Sequence, residues 1–128
     1  MEALTKDIIR TYENVNKNLS IWADAKTSFN ARTEILEMEI LELEKAEAPE
    51  AEILKKCIEV EEIRTEILSK PEADLKAAED DLINFYLDQL KAEDMEAYKI
   101  IKEYAFNNVV KRNQIILKII DTVEAAIY

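Results

Sequence analysis

EILEMEILELEKAEAPEAEILKKCIEVEEIRTEIL, residues 34–68, is the stretch that decides the fold. Before Pro49 it holds Ile35, Leu36, Met38, Ile40, Leu41 and Leu43. After Pro49 come Ile53, Leu54, Cys57, Ile58, Val60, Ile63, Ile67 and Leu68, again among glutamates. Met38-Glu39-Ile40 and Leu41-Glu42-Leu43-Glu44 alternate as a strand would. Glu, Leu and Met are strong helix formers, however, and Ile35, Leu36, Ile40 and Leu43 also satisfy the helical period, so the segment is read as helix. Ala46-Glu47-Ala48-Pro49-Glu50 is the clearest boundary. Pro49 is pre-organised for the first turn of a new helix, and Glu50 and Glu52 face the positive end of its dipole. The stripe Ile53, Cys57, Val60, Ile63 or Arg64, and Ile67 then follows. The rest of the chain must give this apolar surface a partner.

Toward the N-terminus, Leu4, Ile8, Ile9, Tyr12, Val15, Leu19 and Trp22 recur at spacings of three and four. They form one stripe on a helix that starts near Ala3 or Thr5. Ile8, Val15, Trp22, Phe29, Leu36 and Leu43 sit seven apart, and Leu19 and Ile40 lie four beyond members of that series. Asp24, Thr27, Ser28 and Asn30 favour caps or turns. The seam is weakest at the polar Lys26 and Thr33. One long helix, bent or loosened near Ser28, is favoured. Two helices joined by a tight turn are the alternative, which the lack of Gly makes harder.

Toward the C-terminus, Ser69-Lys70-Pro71-Glu72 offers a second boundary. Either Ser69 caps a new helix with Glu72 as its capping-box acid, or Pro71 kinks a continuous one. Leu75, Ala78, Leu82, Phe85 or Tyr86, and Gln89 or Leu90 form the next stripe. Residues 91–96 are polar and predict a turn. Ala97, Ile101, Ala105, Val109, Ile116, Ile119 or Ile120, Val123 and Ile127 then predict a final helix of roughly nine turns. Asn107-Asn108 and Lys111-Arg112-Asn113 mark either a bend in it or its exposed side. The expected fold class is all-α: an elongated antiparallel helical bundle of three long helices, or of four to five helices if breaks occur near Ser28 and Pro71. A chain of 128 residues is expected to form a single domain over 1–128.

Composition excludes much chemistry. The chain has no Gly, no His, two Pro and one Cys, and a formal charge of −11. Without Gly there are no glycine hairpin turns, Schellman glycines or phosphate-cradling loops, and a left-handed cap must use Asn, Asp or another residue at a cost. Without His there is no Ser-His-Asp triad and no helical di-iron motif. An EF-hand lacks its central Gly. No metal or other cofactor is expected. Glu79, Asp80, Lys76 and Tyr86 lie close in sequence, but such clusters arise by chance at this charge density. No catalytic residue is assigned, and the chain is read as non-enzymatic.

The lone Cys57 forbids an internal disulfide and fits a reducing, cytoplasmic compartment. It lies on the apolar stripe beside Lys55 and Lys56, as a small buried hydrophobe rather than a nucleophile. Met1-Glu2-Ala3-Leu4-Thr5-Lys6 shows no signal-peptide pattern, and no apolar run approaches the roughly 20 residues that span a bilayer. The acidic balance argues against direct nucleic-acid or membrane binding and favours a basic patch on a protein partner. Lys111-Arg112 with Lys118 is too sparse for a nucleic-acid footprint.

Charge is uneven. Residues 34–66 hold twelve acidic and four basic side chains, a net −8, and residues 72–96 hold nine and two, a net −7. Glu59, Glu61, Glu62, Asp80 and Asp81 are the candidate acidic surface. Trp22 and Phe29 either plug a bundle or anchor a partner. Phe106 falls outside the final stripe and, with Tyr98 or Val110, forms a second face. Trp22, Phe29, Tyr98, Phe106 and Val110 are therefore candidate protein-binding residues. The leading expectation is a non-enzymatic protein–protein interaction or scaffold module acting through a rigid acidic helical surface, homo-oligomeric, with a homodimer as its simplest form. The alternative is a nucleic-acid mimic whose acidic hairpin occupies the basic groove of a nuclease or other nucleic-acid-binding protein, a character common among phage and plasmid inhibitors of host nucleases.

Overall fold

A computed structural model describes residues 6–127. They form four helices: α1 (Lys6–Lys45), α2 (Glu50–Glu93), α3 (Met95–Asn107) and α4 (Val109–Ile127). The fold is all-α, with no strand among the described residues. The helix count is that of the four-helix option, but the divisions fall elsewhere. α1 passes Ser28 and α2 passes Pro71 without interruption, whereas the segment expected as one final helix is divided at Asn108. The proposed helix start at Ala3, Leu4 and Thr5 lies outside the described residues.

The doubtful polar residues of α1 satisfy themselves on their own helix. The Thr27 hydroxyl donates to the Ala23 carbonyl at 3.1 Å, and that of Thr33 to the Phe29 carbonyl at 2.9 Å. Thr33 is therefore fully buried without an orphan donor. Lys26, the other polar seam position, lays its ammonium group 5.1 Å from the centre of the Phe29 ring. These contacts carry the seven-residue register past Ser28.

Pro71 has no backbone N–H to give to the Ile67 carbonyl, yet the helix continues on either side of it. Ser69 is therefore a helix-interior residue and not a cap. Glu72, expected as the capping-box acid, instead accepts from the Arg64 guanidinium at 2.9 Å.

The α1–α2 turn is a Schellman motif built without glycine. The Ala48 amide donates to the Leu43 carbonyl at 3.0 Å, and the Glu47 amide to that of Glu44 at 3.2 Å. Glu47 occupies the left-handed position, with φ of 53°. Pro49 lies one residue before the first helical position of α2, and its carbonyl accepts from the Glu52 amide at 3.0 Å. The remaining joints are one residue each. Asp94 is extended and its carboxylate caps α3 by accepting from the Ala97 amide at 3.1 Å. Asn108 is likewise extended and caps α4 by accepting from the Lys111 amide at 3.0 Å. Both are preferred N-cap residue types.

The chain forms two compact units. One is the hairpin Asn18–Asp74. Phe29, Thr33 and Leu68 are buried in it, and Trp22, Leu36, Ile40, Leu43, Ile53, Cys57, Val60, Ile63 and Ile67 are half-buried. Along α1 and α2 most of these positions are three or four residues apart. Two ion pairs cross between its antiparallel helices, Lys56–Glu39 at 2.8 Å and Arg32–Glu66 at 3.5 Å. The bond to Glu39 raises the Lys56 ammonium above its ordinary value of 10.5.

The other unit takes in the described residues up to Lys17 and from Leu75 onward. All four helices contribute to its core: Ile8, Tyr12 and Val15 from α1, Ala78, Leu82, Ile83 and Leu87 from α2, Ala105 from α3, and Ile116, Ile119 and Val123 from α4. The Tyr12 hydroxyl donates to the Glu124 carboxylate at 2.7 Å, which satisfies the polar end of a buried ring.

Candidate interaction surfaces

The hairpin buries only one stripe of each helix, and its apolar residues exceed what that stripe can take. Ile35, Met38 and Leu41 on α1 and Leu54 and Ile58 on α2 lie off the seam, each more than half exposed. The Glu39–Lys56 pair puts Leu41 and Leu54 at about one level of the hairpin and Met38 and Ile58 at about the next. Exposed Glu34, Glu37, Glu42 and Glu59 lie among these residues in sequence. Ile58, Glu61, Glu62 and Thr65 line a shallow cavity of about 330 Å³. The hairpin thus exposes several large apolar side chains among acidic ones.

In the other unit, Arg112 of α4 is the electrostatic centre. Its guanidinium pairs with the Asp80 carboxylate and, at 3.5 Å, with Glu79. Burial raises Glu79 above its ordinary value of 4.5, against the opposing pull of Arg112. This arrangement ties α4 to α2 and holds two neighbouring carboxylates on one cation. Nearby, Tyr86, Ile101, Tyr104, Lys111, Ile115 and Ile119 contribute to a groove of about 380 Å³. The Lys111 ammonium lies 4.2 Å from the centre of the Tyr104 ring. Burial, with a smaller contribution from Glu93, raises the Tyr86 phenol above its ordinary value of 10.0.

The residues singled out from sequence distribute unevenly. Phe29 is buried in the hairpin and Trp22 is half-buried. Tyr98 and Phe106 are brought together at a shallow cavity on α3 with Lys99 and Lys102. Phe106 and Val110 are exposed, and Tyr98 is half-buried. Glu59, Glu61 and Glu62 are exposed on the hairpin, as is Asp81 in the other unit, whereas Asp80 is half-buried and paired with Arg112. The sequence neighbours Lys76, Asp80 and Tyr86 separate: the first two line a cavity with Arg112, and Tyr86 lines the α3–α4 groove.

Sequence reasoning missed Arg112 as an ion-pair centre, because its carboxylates lie 32 and 33 positions away in the chain. It also missed the groove, although the spacing of Lys111, Ile115 and Lys118 places them on one helical face. Among the described residues no group of three or more His, Cys, Asp and Glu could hold a metal ion, and no helix is long and apolar enough to cross a membrane. No protein family, curated protein or solved structure matches the chain.

Proposed function

We propose that the protein is a non-enzymatic interaction module whose hairpin holds a protein partner. The observation that supports this is the exposed apolar set Ile35, Met38, Leu41, Leu54 and Ile58 among glutamates. Exposed apolar clusters rimmed by charge mark interaction sites. The matching surface is an amphipathic segment with apolar anchors framed by Lys or Arg. The apolar residues supply affinity, and the glutamates steer the encounter and reject acidic competitors. A second copy of the chain, forming a homodimer, is the other protein occupant of this face. The unpaired Cys57 accords with a reducing, cytoplasmic setting.

Titration of the full chain with a synthetic basic amphipathic helix of Leu and Lys tests the proposal. Saturable binding is expected, weakened at least about tenfold by joint replacement of Ile35, Met38 and Leu41 with Ser, which removes central apolar anchors. Unchanged affinity in that variant overturns the proposal. Light scattering at low and high salt reports separately on self-association. A nucleic-acid mimic is the second reading, supported by the net −8 over residues 34–66. It differs in depending on carboxylates alone: binding to a basic nuclease would collapse with salt and ignore the Ser substitutions.

A further inference from the structure

The α3–α4 groove is concave and largely apolar, with walls of Ile101, Ile115, Ile119 and the Tyr86 ring. Its volume of about 380 Å³ lies within the roughly 300–1,000 Å³ typical of small-ligand sites. Lys111 and Lys118 also line it, two helical turns apart on α4. Among the described residues neither lysine forms an ion pair, in a chain with 28 acidic side chains. Arg112, next to Lys111, is committed to Glu79 and Asp80 and leaves the groove's positive charge to the lysines. An apolar trough with two ammonium groups that no carboxylate neutralises, one of them resting over the Tyr104 ring, complements a ligand with an apolar body and an anionic head.

We propose that this groove binds a single-chain amphiphilic anion, the chemical class of long-chain carboxylates. The chain lies against Ile101, Ile115 and Ile119. The head accepts hydrogen bonds from Lys111 and Lys118. Binding an anion runs against the net charge of −11, so it requires a local basic site rather than a general field. The site is separate from the hairpin surface, and either can fail alone.

The test is calorimetric titration of the full chain with dodecanoate below its micelle concentration, with dodecanol and dodecyltrimethylammonium as neutral and cationic counterparts of the same tail. Saturable one-to-one dodecanoate binding is expected, with the cationic counterpart at least about tenfold weaker because it meets the two lysines. Joint replacement Lys111→Gln and Lys118→Gln is expected to weaken dodecanoate about tenfold, at roughly threefold per exposed charge, and to leave dodecanol unchanged. These lysines are exposed, so the variant is expected to keep its fold, which circular dichroism checks. Equal binding of anion and cation, or an unaffected double variant, overturns the proposal. So does an acidic amphipathic peptide that binds the groove where dodecanoate does not, since it assigns the groove to a protein occupant.

Discussion

The phenol of Tyr12 on α1 donates to the carboxylate of Glu124 on α4 at 2.7 Å, across 112 positions of sequence. The ring is almost wholly buried, at 3% exposure, so this bond satisfies a polar atom at the edge of an apolar core. Tyr12→Phe keeps the ring and deletes the bond. It is expected to lower stability by about 1–2 kcal/mol, read as a lower urea midpoint with an unchanged slope.

Glu47 holds a left-handed conformation that costs a side-chain-bearing residue about 1–2 kcal/mol. Glycine removes that strain and adds freedom to the unfolded chain. Glu47→Gly is therefore expected to stabilise the protein by about 0.5–1 kcal/mol net, measured by chemical denaturation. Glu47→Val should do the reverse, because β-branching worsens the clash.

Pro71 interrupts the hydrogen-bond ladder within a continuous α2. Pro71→Ala restores an amide donor opposite the Ile67 carbonyl. An increase in stability of up to about 3 kcal/mol is expected, offset in part by greater freedom of the unfolded chain. A thermal melt reads it directly.

Glu79 provides a pH signature. Burial raises its folded-state value above the ordinary 4.5, so the native state holds this proton more tightly than the unfolded chain does. The resulting stability is fully present below 4.5 and is lost as pH rises through the raised value. Glu79→Gln cannot titrate and should lack this component. Denaturation of both proteins across that window should show the wild type losing ground to the variant as pH increases. Parallel curves would mean that Arg112 fully offsets the burial.

The long helices were legible because their apolar spacing is regular and the chain lacks the residues that build other structures. Pro49 marked the end of the first helix, and the polar run after Leu90 marked the joint between α2 and α3. At Ser28 the favoured continuous helix is the one that forms, and at Pro71, where a cap and a continuous helix were both open, the helix again continues. The polar residues near Ser28 bond back to their own helix, which sequence cannot distinguish from capping. At Pro71 the surrounding helix tolerates a lost bond that local propensity counts as a stop. Asn108 signalled either a bend or a solvent face, and only the geometry at its amide made it a joint. The groove stayed hidden because it needs Tyr86 from one helix and Ile115 from another, with no local signal joining them. Ile35 and Met38 fall off the seven-residue series already in the sequence, but spacing alone does not decide between wider packing and exposure.

Asn108 alone separates α3 from α4. Its φ of −152° and ψ of 124° act as two dials on the aperture between Tyr104 on one helix and Lys111 on the other. A single residue that is not itself part of the groove's lining can therefore tune how widely the groove gapes, through its backbone angles and its bond to the Lys111 amide. Glycine there would loosen both dials. Threonine would tighten them, because it prefers extended backbone and still caps the following helix. The width of the groove becomes a property of residue 108, which lies outside the groove's own walls.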